Sequence, residues 1–80
     1  MKISLIKSSQ EKTKLTKILG INIINLDNHE KVDEKIEELI RNNCKNIILS
    51  NEIAGFSEDI IKKYTNNDDI KIYITPSNRN

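Results

Sequence analysis

Several residue types that announce a function are scarce in this chain. There is no tryptophan, one cysteine (Cys44), one histidine (His29), one proline (Pro76) and two glycines (Gly20 and Gly55) in 80 residues, and aromatics make up 4%. One cysteine cannot close an internal disulfide, and one cysteine with one histidine gives no cluster at zinc spacing. The composition therefore suits a reducing, cytoplasmic setting. No apolar run nears the roughly 20 residues that span a bilayer, and Met1-Lys2-Ile3-Ser4 does not open a signal peptide. Charge of one sign is lacking too. Lys and Arg number 13 against 12 Asp and Glu, a formal net charge of +1, which is too little to grip a polyanion. A chain of this length buries roughly 60–65% of its unfolded surface and has little room for a deep catalytic cleft.

What is present is isoleucine, asparagine and lysine, at 16, 11 and 11 residues, against one valine and one alanine. That bias reads as AT-rich codon usage, so isoleucine in place of valine or leucine carries no functional message. The asparagines are dispersed and form no prion-like tract.

Four apolar runs of strand length stand out: Ile3 to Ile6, Ile21 to Leu26, Asn46 to Leu49 and Ile70 to Ile74. Three stretches of helical period separate them. Leu15, Ile18 and Leu19 mark the first, and Val32, Ile36, Leu39 and Ile40 the second. Ile53, Phe56, Ile60, Ile61 and Tyr64 mark the third, with Phe56 read either as part of the core stripe or as an exposed contact. Gly55 interrupts that helix two residues before Ser57, itself a candidate cap for Glu58-Asp59, so a short turn followed by a restarted helix is expected. Gly20 closes the first helix, Asp27 or Asn28 caps the second, Asn42-Asn43 ends it, and Pro76 stops the last strand.

Strands alternating with helices imply parallel strands joined by right-handed crossovers. The expected fold is one α/β domain over residues 1–80, with a four-stranded parallel sheet in the order 2-1-3-4. Three helices cover its two faces, as in half of a Rossmann-like or flavodoxin-like fold. Consecutive apolar residues in Ile23-Ile24 and Ile47-Ile48-Leu49 suit strands buried on both faces. Isoleucine at every second position of Ile70 to Ile74 suits an edge strand.

Ligands of such sheets bind beyond the carboxyl ends of the strands. There Lys7-Ser8-Ser9-Gln10-Glu11 has no glycine with which to cradle phosphate, so Ser8 or Ser9 is read as a helix cap. A phosphorelay receiver needs aspartates where Ser8, Ser9 and Ser50 stand. Cys44 precedes the third strand, at the rim opposite to the one where helix amides could activate a nucleophile, and reads as a small half-buried filler. His29 has no sequence-placed relay partner and reads as solvent-facing. Asp33, Glu34, Glu37 and Glu38 among Lys31, Lys35 and Arg41 form a solvated helix face with a Glu37–Arg41 pair, or a charged docking surface. No enzyme activity, cofactor or metal is expected.

The stretch Asn46-Ile47-Ile48-Leu49-Ser50-Asn51-Glu52-Ile53-Ala54, with the following helix through Ile60, Ile61 and Tyr64, resembles the F subunit of the V-type and A-type rotary ATPases (ATP synthases). That family has a hydrophobic third strand and a Ser/Thr-x-Glu-x-Ala opening to its third helix. The opening Met1-Lys2-Ile3, Leu19-Gly20-Ile21 and the terminal Pro76-Ser77 follow in order. Ser8-Ser9 and Ile18 stand where the family has Gly-Asp and Gly-Phe. The resemblance implies a non-catalytic rotor protein of the central stalk. It would be cytoplasmic, peripheral to the membrane within its complex, and bound to the coiled-coil shaft subunit, where it supports coupling of ATP turnover to ion transport. Family members usually continue into a mobile C-terminal segment, and this sequence ends at Asn80. Candidate partner contacts are Ser50, Glu52, Phe56 and Tyr73. An alternative resemblance, over Asn46 to Thr75, is to the kink-turn RNA-binding ribosomal proteins, for which Lys7, Lys12, Lys14 and Lys17 would supply phosphate contacts. The balanced charge and the missing glycine-rich loop argue against it.

Overall fold

The computed structural model describes residues 2–9 and 20–75. The expected first helix (Leu15, Ile18, Leu19), Lys12, Lys14, Lys17 and the Pro76-Ser77 ending lie outside these described residues. Strand β1 runs Ile3–Ser8 and β2 runs Ile21–Leu26; a 3₁₀ turn at His29–Lys31 leads into α1, Val32–Arg41. Then come β3 (Asn46–Leu49), α2 (Asn51–Ala54), α3 (Glu58–Tyr64) and β4 (Lys71–Ile74). The strands form one parallel sheet in the expected order, β2-β1-β3-β4.

Register sorts the side chains. Ile6 stands between Ile24 and Leu49, and Leu49 pairs with Ile74, so these residues share one face. On that face Ile6, Ile47 and Leu49 pack with Val32 and Ile36 of α1, Ile53 and Ala54 of α2, and Ile60 of α3. All three described α-helices thus cover one side. On the second face Leu5 is buried between Ile23 and Ile48, and Tyr73 follows Ile48 outward, 54% exposed.

Two expectations about strands change. The central strand continues past its apolar run, because Lys7 and Ser8 belong to β1 and both are buried; the Lys7 ammonium donates to the Ser8 carbonyl at 3.2 Å. Conversely β2, read as buried on both faces, is an edge strand and only half-buried. β4 is the other edge, as its alternation indicates.

Helix ends follow local chemistry. Asn28, not Asp27, caps the entry to α1 by accepting from the Glu30 amide at 3.0 Å. The exit is a Schellman motif. Asn43 adopts φ +66°, its amide donates to the Ile40 carbonyl, and the Cys44 amide donates to that of Leu39 at 2.9 Å. Gly20 likewise holds φ +91° before β2, a conformation that costs glycine little. Cys44, expected half-buried, is 2% exposed and joins the core, with its sulfur 3.3 Å from the Ser4 hydroxyl.

The helices α1 and α3 are tied together by charge. Glu37, expected to pair with Arg41, instead accepts from the Tyr64 hydroxyl at 2.5 Å and sits 3.3 Å from the Lys63 ammonium; Lys35 and Glu38 make the pair internal to α1. The Tyr64 hydrogen bond, aided by Lys63, holds the Glu37 carboxyl below the usual glutamate range, and the same hydrogen bond, with Lys63 opposing, pushes the Tyr64 phenol up. Partial burial, then the charges of Asp59 and Glu37, push Asp33 up.

These shifts have opposite consequences for stability. A carboxylate with a depressed folded pKa stabilises the fold above its unfolded pKa and loses that contribution as pH falls through the folded value. A raised Asp33 works the other way, since its ionised form opposes folding at neutral pH. Glu37→Gln is therefore expected to destabilise at pH 7 and to flatten the acid limb of the stability profile. Asp33→Asn should stabilise at pH 7 and lose that advantage in acid. Urea titrations from pH 3 to 8 check both signs, and matching slopes for the two variants would contradict the assignment.

A candidate docking site at the carboxyl rim of the sheet

In a parallel sheet with helical crossovers, the carboxyl ends of the strands and the amino ends of the helices meet at one rim. Here that rim gathers Ser9 after β1, Asp27 to His29 after β2, and Ser50 to Glu52 after β3. The Ser9 hydroxyl donates to the Asp27 carboxylate, and the Ser9 amide donates to the Leu26 carbonyl, which fastens the first loop to the second.

Ser50 is buried. Its side chain accepts from the Ile53 amide at 3.3 Å, and its own amide donates to the Ile6 carbonyl at 3.0 Å, so it anchors α2 to the central strand. Ile53 and Ala54 turn inward and Glu52 turns outward, its side chain half exposed.

Why Phe56 is outside follows from the break that Gly55 introduces. In an unbroken helix, positions 53, 56 and 60 would share a stripe. Instead, α2 ends at Ala54, the Phe56 amide closes a tight turn on the Ile53 carbonyl at 2.9 Å, and α3 restarts at Glu58. Ser57 takes the inward position at 1% exposure, and Phe56 is left 54% exposed. Ser57 does not cap α3 with its side chain, contrary to expectation. Its hydroxyl donates back to the Ile53 and Ala54 carbonyls, each at 3.4 Å, which locks the elbow between the two helices.

His29 is not solvent-facing as expected. Its ring lies against Phe56, with centroids 4.8 Å apart at 56°, and its Nε2 is 3.8 Å from the Glu52 carboxylate. His29, Glu52 and Phe56 are therefore one cluster, drawn from the β2–α1 loop, α2 and the α2–α3 elbow. Nothing local to His29 signals this. Only the strand order, which brings the loops after β2 and β3 to one rim, could have indicated it.

Of the four residues singled out from the sequence, the rim brings Glu52 and Phe56 together. Ser50 lies beneath them as a cap. Tyr73 belongs to the opposite face of the sheet, on β4.

Among the described residues no three His, Cys, Asp or Glu side chains are placed to hold a metal ion, and no helix is long and apolar enough to cross a membrane. What the rim offers is a flat aromatic surface on a braced elbow, with an imidazole and a carboxylate beside it. A scan against protein-family models and searches of curated proteins and of solved structures returned no match.

Proposed function

We propose that this chain is a non-catalytic docking domain akin to the F subunit of rotary ATPases, bound to the coiled-coil shaft of a V/A-type central stalk and supporting the coupling of ATP turnover to ion transport. The observation that carries this reading is the presentation of Phe56. A phenylalanine held 54% exposed by a capped, internally bonded elbow, directly after the Ser50-x-Glu52-x-Ala54 turn, suits contact with another protein. The resemblance of that same turn to the family's third-helix opening names the partner.

RNA binding gains no support from Lys7. It is buried within β1, where its ammonium donates to the Ser8 carbonyl.

The test is co-expression of the full chain with the shaft subunit encoded by the same genome, followed by size-exclusion chromatography, alongside a salt titration with kink-turn RNA. Stable co-elution is the expected result. Separate elution overturns the proposal, and RNA binding that weakens steeply with salt would put the RNA-binding reading in its place.

A further inference from the structure

The near-neutral total conceals a separation of charge along the strand direction. Asp27, Glu30, Asp33, Glu34, Glu52, Glu58 and Asp59 stand at the carboxyl rim, most of them in first helical turns, with Lys31 among them. Toward the amino end lie Lys2, Arg41, Lys45, Lys62 and Lys71, with Asp68 and Asp69, while Lys63 is paired with Glu37 and Lys35 with Glu38 along the helices. Helix dipoles favour this arrangement, because acidic side chains stabilise helix starts and basic ones helix ends. It also leaves Phe56 as an exposed apolar spot on the acidic rim, against the His29 ring that borders Glu52 and two residues before Glu58-Asp59. The upward shift of Asp33, owed first to partial burial and then to the charge of Asp59, agrees with negative charge that is not fully compensated at this rim.

Building on the docking function proposed above, we infer that the carboxyl rim is the docking face and that it receives a basic amphipathic helix, whose apolar stripe seats on Phe56 while its lysines or arginines lie among Glu52, Glu58 and Asp59. Charge complementarity selects the sign of the partner, since an acidic segment or a nucleic-acid phosphate would meet like charge here. The form of the partner follows from what the rim exposes. Side chains and helix starts face outward there, whereas the edge strands of the described sheet are β2 and β4, so a strand finds no ladder to extend at the rim. A helix arrives with its own backbone bonds made and needs only side-chain contacts. The His29 ring behind Phe56 keeps the aromatic face from swinging, which lowers the ordering cost of binding.

The experiment uses the isotope-labelled full chain and two synthetic helices, one with lysine and leucine at amphipathic spacing and one with glutamate in place of lysine. Amide shifts should move at His29, Glu52, Phe56 and Glu58 with the lysine helix only, and should weaken with salt. Phe56→Ala is expected to reduce affinity about tenfold or more, and the double change E58K/D59K by a similar factor. Both sites are exposed, and circular dichroism checks that the variants stay folded. A footprint at Lys2, Arg41 and Lys45, stronger binding of the glutamate helix, no binding of the lysine helix, or indifference to Phe56→Ala overturns the inference. The shaft subunit separates this failure from that of the broader reading. If it binds at the amino rim, the docking face is wrong and the stalk function stands. If it fails to bind while the lysine helix docks on Phe56, the stalk function falls and the rim inference stands.

Discussion

Ile6→Ala is expected to remove about 2–5 kcal/mol of stability. A domain of this size is stable by roughly 4–12 kcal/mol, at about 0.05–0.15 kcal/mol per residue, so the variant loses a large share of its margin. Ile6 is fully buried at the centre of the sheet, flanked in register by Ile24 and Leu49 and covered by the helix layer. Its neighbours are fixed on both sides by strand pairing, so they cannot close over the missing carbons, and the cavity term adds to the lost burial. Ile6→Val should cost only about 0.5–1.5 kcal/mol. Ile74→Ala is the contrasting control, because that side chain is 48% exposed on an edge strand. Urea midpoints order the three variants, and an Ile6→Ala midpoint equal to that of Ile74→Ala would contradict the packing described.

At Asn43 the second large effect turns on backbone conformation. The left-handed φ of +66° costs an ordinary L-residue about 1–2 kcal/mol and a β-branched one at least that, so Asn43→Val should destabilise by this amount or more. Asn43→Gly should be neutral to stabilising, because glycine enters this region freely and keeps both amide bonds that close α1. Opposite signs from two small substitutions at one exposed position are hard to produce by packing. Thermal unfolding of both variants reads the difference, and a destabilised glycine variant would refute the strain argument.

The local grammar of this chain is plain in its sequence. Ile23-Ile24 and Ile47-Ile48-Leu49 mark strands, Val32, Ile36, Leu39 and Ile40 mark a helix, Asn42-Asn43 marks its end, and Gly55 marks the break between α2 and α3. These signals arise within a few residues, where backbone preference and periodicity act. Contacts across the fold are harder to read. Helical spacing matches Glu37 to Arg41, one turn away, yet α3 supplies Tyr64 and Lys63 from 27 and 26 residues downstream. His29 reads as solvent-facing because nothing near it forecasts Phe56. Lys7 and Ser8 read as a loop because polar residues in a central strand are rare, and only their neighbours in β2 make them strand. At the candidate site, a motif points to Glu52 and Phe56, while the histidine that braces them becomes visible only once the strand order brings two loops together.

The position of β1 also bears on how the molecule is made. It leaves the ribosome before the other three described strands, and it is flanked on both sides, by β2 from Ile21 onward and by β3 from Asn46 onward. One flank can be paired early, but the other waits until the chain has been synthesised through Leu49. During that interval an apolar strand has an open hydrogen-bonding edge, and long-range parallel pairing is slow to close it. Vectorial synthesis thus leaves one edge of β1 open until β3 has been made, and wrong pairing competes with native pairing during that interval.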